Sequence, residues 1–506
     1  MLSPTCFSLK GMKIIMKRCL AILLLLAMMG TMLVACKKDK GSELGSGTDA
    51  VTNDPADDYL PAPKAEYADK EYSILYRDSY AYEWEYNEAD AGTHINDAVY
   101  KRNQAVENRY SIVLTLYPVL ATGVGVFETY FMDPITVSIL NGENVYQLAA
   151  GYEYRLAQNS ALGDFLDWYQ IPNIDMSADW WDGNFAEAAT YKGHTYIMNG
   201  SLSTSHLYSS SCVFFNEDML NSAIEGGAAE VFAKVDDGAW TLDTFYEYIK
   251  LFTADDDGVE GMSENDSYGY ATNTSTAVDA FMFCCNIPLS AKTDDGEIKL
   301  YSVSEKLSNL ATKLNEIINL SGHTYNQSTT KVEMSVTIGM MARGKTAFTT
   351  SALREAVNLR ELDLNYGILP YPKYDEQQKK YYSITMDSST AFVIPKTAQE
   401  DIEFVGAITE ALAYYSHQYV RDALYNTVLK YRDAKDAESS KCIDIILANP
   451  KYDFVYIYAG AWGDMQGPAS ILRNCIGAGS DSVASYFDQF KSKYTTKLAD
   501  FLENFQ

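Results

Sequence analysis

The sequence predicts an α/β protein of two domains, with mixed, mainly parallel sheets flanked by helices. Strand-like runs alternate with helix-like runs along most of the chain, as in parallel sheets joined by crossover helices. The predicted folded body of about 440 residues exceeds the roughly 250–300 residues at which one hydrophobic core stops growing. We find no internal repeat of roughly 20–50 residues, which argues against a helical-repeat protein.

Each element follows from its own pattern. Short β-prone apolar runs predict strands at 72–76, 112–117, 145–150 and 346–350. Apolar residues at helical spacing predict helices at 95–110, 245–252, 405–415 and 483–505. Thr241 is placed to cap the second of these helices, because its hydroxyl can accept a hydrogen bond from a free N–H group of the first turn.

The N-terminal residues have the pattern of a secretory signal. Four basic side chains between Lys10 and Arg18 precede a short apolar run, and Leu33-Val34-Ala35 precedes Cys36. The apolar run is too short to span a membrane comfortably, since a spanning helix needs about 20 apolar residues. This arrangement resembles the bacterial lipobox, which implies cleavage after residue 35 and lipid (palmitate-type) acylation of the Cys36 thiol.

Residues 36–65 are predicted to form a flexible tether behind the lipidated cysteine. They are rich in Gly, Ser, Asp, Pro and Lys, a composition that buries too little apolar surface to fold. The membrane is therefore a partner through the lipid anchor only, and the body is expected on the extracytoplasmic face.

Charge excludes one class of partner. The chain has 40 basic and 68 acidic side chains, and removal of residues 1–35 leaves 36 basic side chains and a net charge of −32. Such a surface repels nucleic acid phosphates. Five cysteines remain beyond Cys36, and because no CxxC pair occurs, a zinc cluster is not supported.

Several stretches resemble the family-one extracellular solute-binding proteins, the maltose-binding-protein-like group. The matching stretches, in chain order, are 96–107, 177–182, Phe214–Leu220, Gly238–Asp243 ("GxWT"), Ala342–Phe348 ("GKxAF"), Tyr366–Pro372 and Phe392–Pro395. Their order and spacing extend the resemblance over nearly the whole mature chain.

The resemblance implies a periplasmic-binding-protein-like type II fold, in which two lobes hold a ligand in the cleft between them. The expected N-terminal lobe is 66–207 plus 383–430, and the expected C-terminal lobe is 208–382 plus 431–506. The resemblance also implies a binding component of an ABC importer, with a sugar or oligosaccharide as ligand and permease subunits as partners. A peptide or another polar metabolite as ligand, and a sensor that serves no transporter, remain open.

One motif is misleading. Gly339–Thr346 satisfies the phosphate-loop pattern G-x-x-x-x-G-K-T. That loop must follow a strand and open a helix. Here helix formers precede Gly344 and a strand-like run follows it, so Gly344 is predicted to cap a helix C-terminus instead.

A second motif resembles a calcium loop. Asp255, Asp257 and Glu264 have the spacing of calcium ligands, and Gly258 stands at the turn. Thr253 occupies the first position, where an Asp is expected, which weakens the site. A structural Ca²⁺ is therefore a candidate, and the alternative is an acidic surface loop. No cofactor is required.

Ligand-binding residues are predicted by position, because ligands of open α/β sheets lie beyond the carboxyl ends of strands. The loop after the first strand contains Tyr82, Glu83 and Trp84, which can stack on sugar rings and accept from hydroxyls. The other candidates, from later loops, are Tyr152, Glu153, Asn273, Ser351 and Trp462.

An enzyme is the less favoured class. The 5 His are scattered, and neither HExxH nor G-x-S-x-G occurs. Carboxylate pairs such as Glu83 and Glu85 could serve a glycoside hydrolase, but among 68 acidic residues such pairs arise by chance. No catalytic residue is therefore predicted.

Overall fold

The structure is a computed structural model that describes residues 54–121, 124–261, 263–273, 275–327, 336–426, 429, 434–462 and 467–505. The predicted signal, Cys36 and the first part of the tether lie outside the described residues. No helix among the described residues is long and apolar enough to cross a membrane.

The strands, in chain order, are β1 Glu71–Arg77, β2 Val113–Val119, β3 Leu148–Tyr152, β4 Ser211–Asn216, β5 Tyr268–Thr272, β6 Ser290–Lys292, β7 Ile298–Leu300, β8 Thr324–Asn326, β9 Thr346–Ala352, β10 Tyr366–Leu369 and β11 Thr390–Val393. The α-helices are His94–Tyr110, Val124–Phe127, Asp133–Asn141, Glu153–Ser160, Gly183–Ala189, Ser205–Tyr208, Glu217–Ala223, Gly227–Asp236, Leu242–Ile249, Thr276–Cys284, Glu305–Asn315, Val336–Ala342, Glu355–Arg360, Ile402–Tyr415, Ala437–Ala448, Phe454–Ile457, Ile471–Gly477 and Val483–Glu503.

The strands form two main sheets, which define two lobes. The first lobe contains the sheet β11-β3-β1-β2, in which β1 runs parallel to β2 and β3 and β11 runs antiparallel to β3. The second lobe contains the sheet β10-β4-β9-β5-β8, in which β5 runs parallel to β8 and β9 and β4 runs antiparallel to β9 and β10. The predicted mixed α/β architecture is confirmed, but parallel pairing does not predominate, since four of the described strand pairs are parallel and four are antiparallel.

Local patterns placed most of these elements within a few residues. The helix 94–110 buries Val99, Val106 and Tyr110, the residues whose spacing predicted it. The Thr241 hydroxyl accepts from the Thr244 N–H at 3.3 Å and caps the helix Leu242–Ile249. Gly344 ends the helix Val336–Ala342 with a φ of +68°, and β9 follows. The phosphate-loop pattern therefore has the reversed context that the sequence predicted.

The predicted tether is too long at its C-terminal end. Ala56 and Leu60 are buried against the first lobe, at 1% and 5% exposure. The Tyr110 hydroxyl donates to the Pro61 carbonyl at 2.9 Å. These residues fold because a few apolar side chains within the polar stretch pack against the first lobe. The composition of the stretch does not predict this packing.

The C-terminal segment contacts both lobes. The Tyr458 hydroxyl donates to the Ala189 carbonyl of the first lobe at 2.9 Å. The helices Ile471–Gly477 and Val483–Glu503 instead pack on the second-lobe helix Glu305–Asn315. The described cysteines, Cys212, Cys284, Cys285, Cys442 and Cys475, are all buried free thiols.

Candidate ligand-binding cleft

The carboxyl ends of the first-lobe strands meet the segment that returns from the second lobe. β1 ends at Arg77, and the guanidinium of Arg77 donates to the Thr390 hydroxyl at 2.8 Å and to the Ser388 carbonyl at 3.3 Å. The hydroxyl of Tyr80, in the loop after β1, lies 3.5 Å from the same carbonyl. Two residues that follow β1 are thus held against residues 388–390.

The second lobe reaches the same segment from the other side. Arg354 follows the carboxyl end of β9, and its guanidinium donates to the Ser388 hydroxyl at 3.3 Å. Nearby, Arg473 and Asp279 form a buried ion pair at 2.6 Å. Ser388 is therefore contacted by side chains from the strand ends of both lobes.

Tyrosine rings surround these charged groups. The Arg77 guanidinium stacks 3.9 Å from the centroid of Tyr80 and lies 5.7 Å from that of Tyr152. Tyr152 lies beside Tyr154, with centroids 5.9 Å apart, and Arg155 lies over the Tyr154 ring at 4.9 Å. Aromatic faces beside planar hydrogen-bonding groups suit the recognition of flat, hydroxyl-rich molecules such as sugars.

Two predicted carboxylates line the base of this region. Glu83 is buried, and one of its oxygens accepts from the Ser203 and Thr204 hydroxyls and from the backbone N–H groups of Thr204 and Ser205 at 2.6–2.8 Å. Glu153 accepts from the Ser389 hydroxyl. Burial raises the pKa of Glu83, and burial raises the pKa of Glu153 to about 8.

An open groove adjoins these residues at the rim of the cleft. It has a volume of about 760 Å³ and lies between the first-lobe loops 81–96 and the second-lobe helix Glu355–Arg360. Its lining includes Tyr82, Glu85, Tyr86, Tyr208 and Arg360. The groove is large enough for a sugar of several rings, since ligand pockets typically span roughly 300–1,000 Å³.

Most predicted ligand-binding residues lie along these strand ends, but Glu83, Trp84, Glu153 and Trp462 are buried. Tyr82 is 42% exposed, and Tyr152 is half-buried beside Arg77. Asn273 follows β5 and Ser351 lies near the end of β9, both half-buried at the carboxyl edge of the second sheet. The roles of these residues in binding remain predictions.

Trp84 and Trp462 are corrections. Trp84 has no exposed surface and packs between Tyr76 and Phe392. Trp462 is 1% exposed and its indole N–H donates to the Val455 carbonyl at 3.0 Å. Both side chains belong to the core: the loop after β1 turns Trp84 back under the sheet, and Trp462 ends a short 3-10 helix, Ala459–Trp462, that packs on the helix Glu153–Ser160.

Sequence reasoning missed the residues that join the lobes. Arg354 lies just beyond a predicted strand, so the strand-end rule applied to the second lobe would have found it. Arg155 lies two residues beyond the predicted Glu153, in the same loop-to-helix turn. Ser388 carries no signal of its own, since it lies in an ordinary polar run before β11.

The predicted calcium loop brings together a different set of carboxylates. Asp255, Asp257 and Asp266 have oxygens within 4.8 Å of one another. Glu264 instead pairs with Arg343 at 3.1 Å, so its assignment as a ligand is wrong for this conformation. The loop turns earlier than an EF-hand loop does, and Asp266 accepts from the N–H groups of Asp256 and Asp257.

No family model and no curated protein match the chain. Solved structures match most of it: a family 1 extracellular solute-binding protein from Bifidobacterium longum subsp. infantis has 15% identity, covers 85% of this chain and 100% of that chain, and has a TM-score of 0.54. The maltose-binding protein MalE from Listeria monocytogenes in complex with maltose has 12% identity, covers 85% and 98%, and has a TM-score of 0.53. An ABC substrate-binding protein from the same species in complex with cycloalternan has 11% identity, covers 85% and 99%, and has a TM-score of 0.52.

These likenesses confirm the two-lobe fold that the motifs predicted. The matched proteins are binding proteins by their names. One further match, UgpB from Mycobacterium tuberculosis in complex with glycerophosphocholine, has 11% identity, covers 85% of this chain and 98% of that chain, and has a TM-score of 0.51. The same fold therefore serves ligands other than sugars.

Proposed function

We propose that this chain is the extracytoplasmic substrate-binding lipoprotein of an ABC importer, and that it captures a sugar or oligosaccharide between its lobes for delivery to a permease. The observation that carries the proposal is the meeting of both lobes at Ser388, where Arg77 and Tyr80 approach from one sheet and Arg354 from the other. A ligand bound there contacts both lobes and favours their closed arrangement.

The chemistry of the cleft supports a saccharide. Tyr80, Tyr152 and Tyr154 offer ring faces, and the neighbouring arginines and Asp387 offer planar donors and acceptors. The complexes of similar proteins with maltose and cycloalternan agree with this ligand class. The proposal is of binding without catalysis, and the names of the matched structures, which are binding proteins, support it.

A small phosphodiester is the second candidate ligand. The complex of UgpB with glycerophosphocholine favours it, because that protein has the same fold at similar identity. The arginines around Ser388 suit a phosphate as well as a hydroxyl-rich ring.

A thermal-shift panel tests the ligand class. It contains neutral and acidic mono- and oligosaccharides, short peptides, polyols and glycerophosphodiesters. A ligand at 100 times its Kd adds about 2.7 kcal/mol to the free energy of unfolding and raises the melting temperature. Stabilisation by saccharides alone supports the proposal, and stabilisation by peptides or phosphodiesters alone contradicts it.

The anchor requires its own experiment, on Cys36 in the full chain. Cys36→Ala should abolish acylation and leave the precursor uncleaved or release the protein from the membrane fraction. Cys212→Ala, which alters a buried thiol, is the matched control and should remain anchored. Fractionation and mass measurement decide, and unchanged lipid modification in Cys36→Ala would reject the anchor.

A further inference from the structure

The cleft contains three arginines that form no ion pair with a carboxylate among the described residues. Among the described residues, no carboxylate lies within 4.0 Å of the guanidinium nitrogens of Arg77, Arg155 or Arg354. Their hydrogen-bond partners are neutral hydroxyl, amide and carbonyl groups. This is unexpected in a chain with 68 acidic and 40 basic side chains.

Two of these arginines are buried with unused donors. Arg77 and Arg155 are each 6% exposed, and in each the buried Nε atom has no hydrogen-bond partner among the described residues. A buried donor without an acceptor costs free energy, and beside a cleft a bound ligand or ion can supply the acceptor.

The cationic groups of both lobes also act on one carboxyl group. Burial raises the pKa of Asp387, whereas the charges of Arg473, Arg354 and Arg155 lower it. None of these guanidiniums comes within 4.0 Å of the Asp387 carboxylate in the part of the chain that the structure describes. Arginines therefore surround Asp387 without pairing with it.

Other acidic groups offset these arginines in part: the charge of Glu83 raises the pKa of Arg77 against the effect of burial, and the charge of Arg155 lowers the pKa of Glu128. Burial raises the pKa of Glu153 to about 8, so its carboxyl is mainly protonated at neutral pH. Asp279 is already paired with Arg473 at 2.6 Å. Among the described residues, neither Arg155 nor Arg354 forms an ion pair, so a ligand carboxylate can contact both guanidiniums.

We infer that the ligand of this cleft is an acidic saccharide, whose carboxylate binds Arg155 and Arg354 while its hydroxyls donate to Asp387. The inference rests on the proposed function and specifies its substrate class. A guanidinium matches a carboxylate with two parallel hydrogen bonds, which no neutral sugar hydroxyl can reproduce. Tyr80 and Tyr152 supply the ring faces for the sugar itself.

The test compares sugars that differ only in the carboxylate. Calorimetry on the full mature chain uses glucuronate against glucose, galacturonate against galactose, and the corresponding uronate disaccharides against neutral disaccharides. We expect the uronates to bind at least about tenfold more tightly than their neutral counterparts, as one charge-assisted hydrogen-bonded pair implies. Their affinity should fall as salt is added.

Variants identify the residues that carry the charge. Arg354→Gln should lower uronate affinity about tenfold or more, and it should lower uronate affinity by a larger factor than it lowers the affinity for the matching neutral sugar. Arg354 is half-buried, so the variant should fold, and Arg155→Lys, which keeps the charge but loses the fork, is the second variant. Lys441→Gln is the matched control, because it removes a surface cation that pairs with Asp236 far from the cleft in sequence.

The outcomes separate this inference from the proposed function. Equal or tighter binding of neutral sugars overturns the acidic ligand and leaves the sugar-binding proposal standing. Stabilisation by glycerophosphodiesters but not by uronates in the thermal-shift panel overturns the assignment of a carboxylate to the ligand. If no saccharide of either kind binds, both fail. An equal loss of uronate affinity in Arg354→Gln and Lys441→Gln would show a nonspecific effect of charge. That result would also overturn the inference of an acidic ligand.

Discussion

Tyr82 and Trp84 lie two residues apart in one loop, yet they belong to different regions of the molecule. Tyr82 is 42% exposed at the rim of the cleft, whereas Trp84 is fully buried beneath the sheet of the first lobe. The arginines nearby divide in the same way. Arg77 stacks on Tyr80 at the cleft with an unused donor, and Arg102 lies over Trp84 in the core, 5.3 Å from its ring.

The core of the first lobe and the cleft also differ in how their buried polar groups are hydrogen-bonded. In the core of the first lobe, Glu410 accepts from the indole N–H groups of Trp180 and Trp181 at 2.9 Å each, so charge and donors are matched internally. At the cleft, the buried Nε atoms of Arg77 and Arg155 have no acceptor among the described residues, whereas Nε of Arg102 in the core donates to Asn103 at 2.9 Å. A matched buried network stabilises the fold, whereas an unmatched one near a groove is suited to binding.

The largest expected effect is on the core aromatic residue. Trp84→Ala should lower the free energy of unfolding by about 3–5 kcal/mol, because it removes a fully buried indole and the partner of Arg102. Tyr82→Ala, the matched control from the same loop, should cost less than about 1 kcal/mol. Urea unfolding measures both, and similar losses in the two variants would break the comparison.

The next effect is on the Glu410 network. Glu410→Ala leaves two buried indole donors without an acceptor, at a cost of about 1–3 kcal/mol for each. Glu410→Gln keeps one acceptor oxygen and should cost less. If the cleft variant Arg354→Gln leaves the melting temperature nearly unchanged, the contrast between core and cleft is supported. If Arg354→Gln destabilises the protein as much as Glu410→Ala, the contrast fails.

A smaller effect is a pH dependence shared by both regions. Burial raises the pKa of Glu153 to about 8 and that of Glu410 to about 7, above the ordinary 4.5. The folded state therefore binds these protons more tightly than the unfolded state, so their contribution is fullest below about pH 4.5 and is lost as the pH rises through 7 and 8. Glu153→Gln should reduce the loss of stability at the higher pH values, up to about 8. Glu410→Gln should reduce the loss at lower pH values, up to about 7.

Melting curves between pH 5 and 9 measure this dependence. An unchanged slope in Glu153→Gln would show that its carboxyl is ionised in the folded protein at neutral pH. In that case the excess positive charge assigned to the cleft would be smaller, which would weaken the contrast with the core.

The smallest expected effect is at the candidate calcium site formed by Asp255, Asp257 and Asp266. Calcium in excess should raise the melting temperature modestly, since a ligand at ten times its Kd adds about 1.4 kcal/mol. Asp257→Ala should remove this increment, and Glu264→Ala, whose carboxylate pairs with Arg343, should not. No shift at millimolar calcium would dismiss the site.

Local sequence patterns predicted most of the fold. Apolar spacing located the helix 94–110 and β1, and the order of motifs predicted two lobes before any contact was known. The same reasoning predicted a site at the strand ends but could not separate the exposed Tyr82 from the buried Trp84. Both residues fit the pattern of a binding loop, and only the turn of the backbone decides which ring faces solvent.

The sequence by itself determined what depends on neighbours along the chain: the strands and helices, the acidic charge, and the candidate lipid anchor at Cys36. Only the tertiary structure decided which groups share one site. Arg77 and Ser388 are 311 residues apart, and Arg354 reaches Ser388 from the other sheet. Such contacts depend on how two sheets pack at their edges, and no local periodicity records the distance between remote segments.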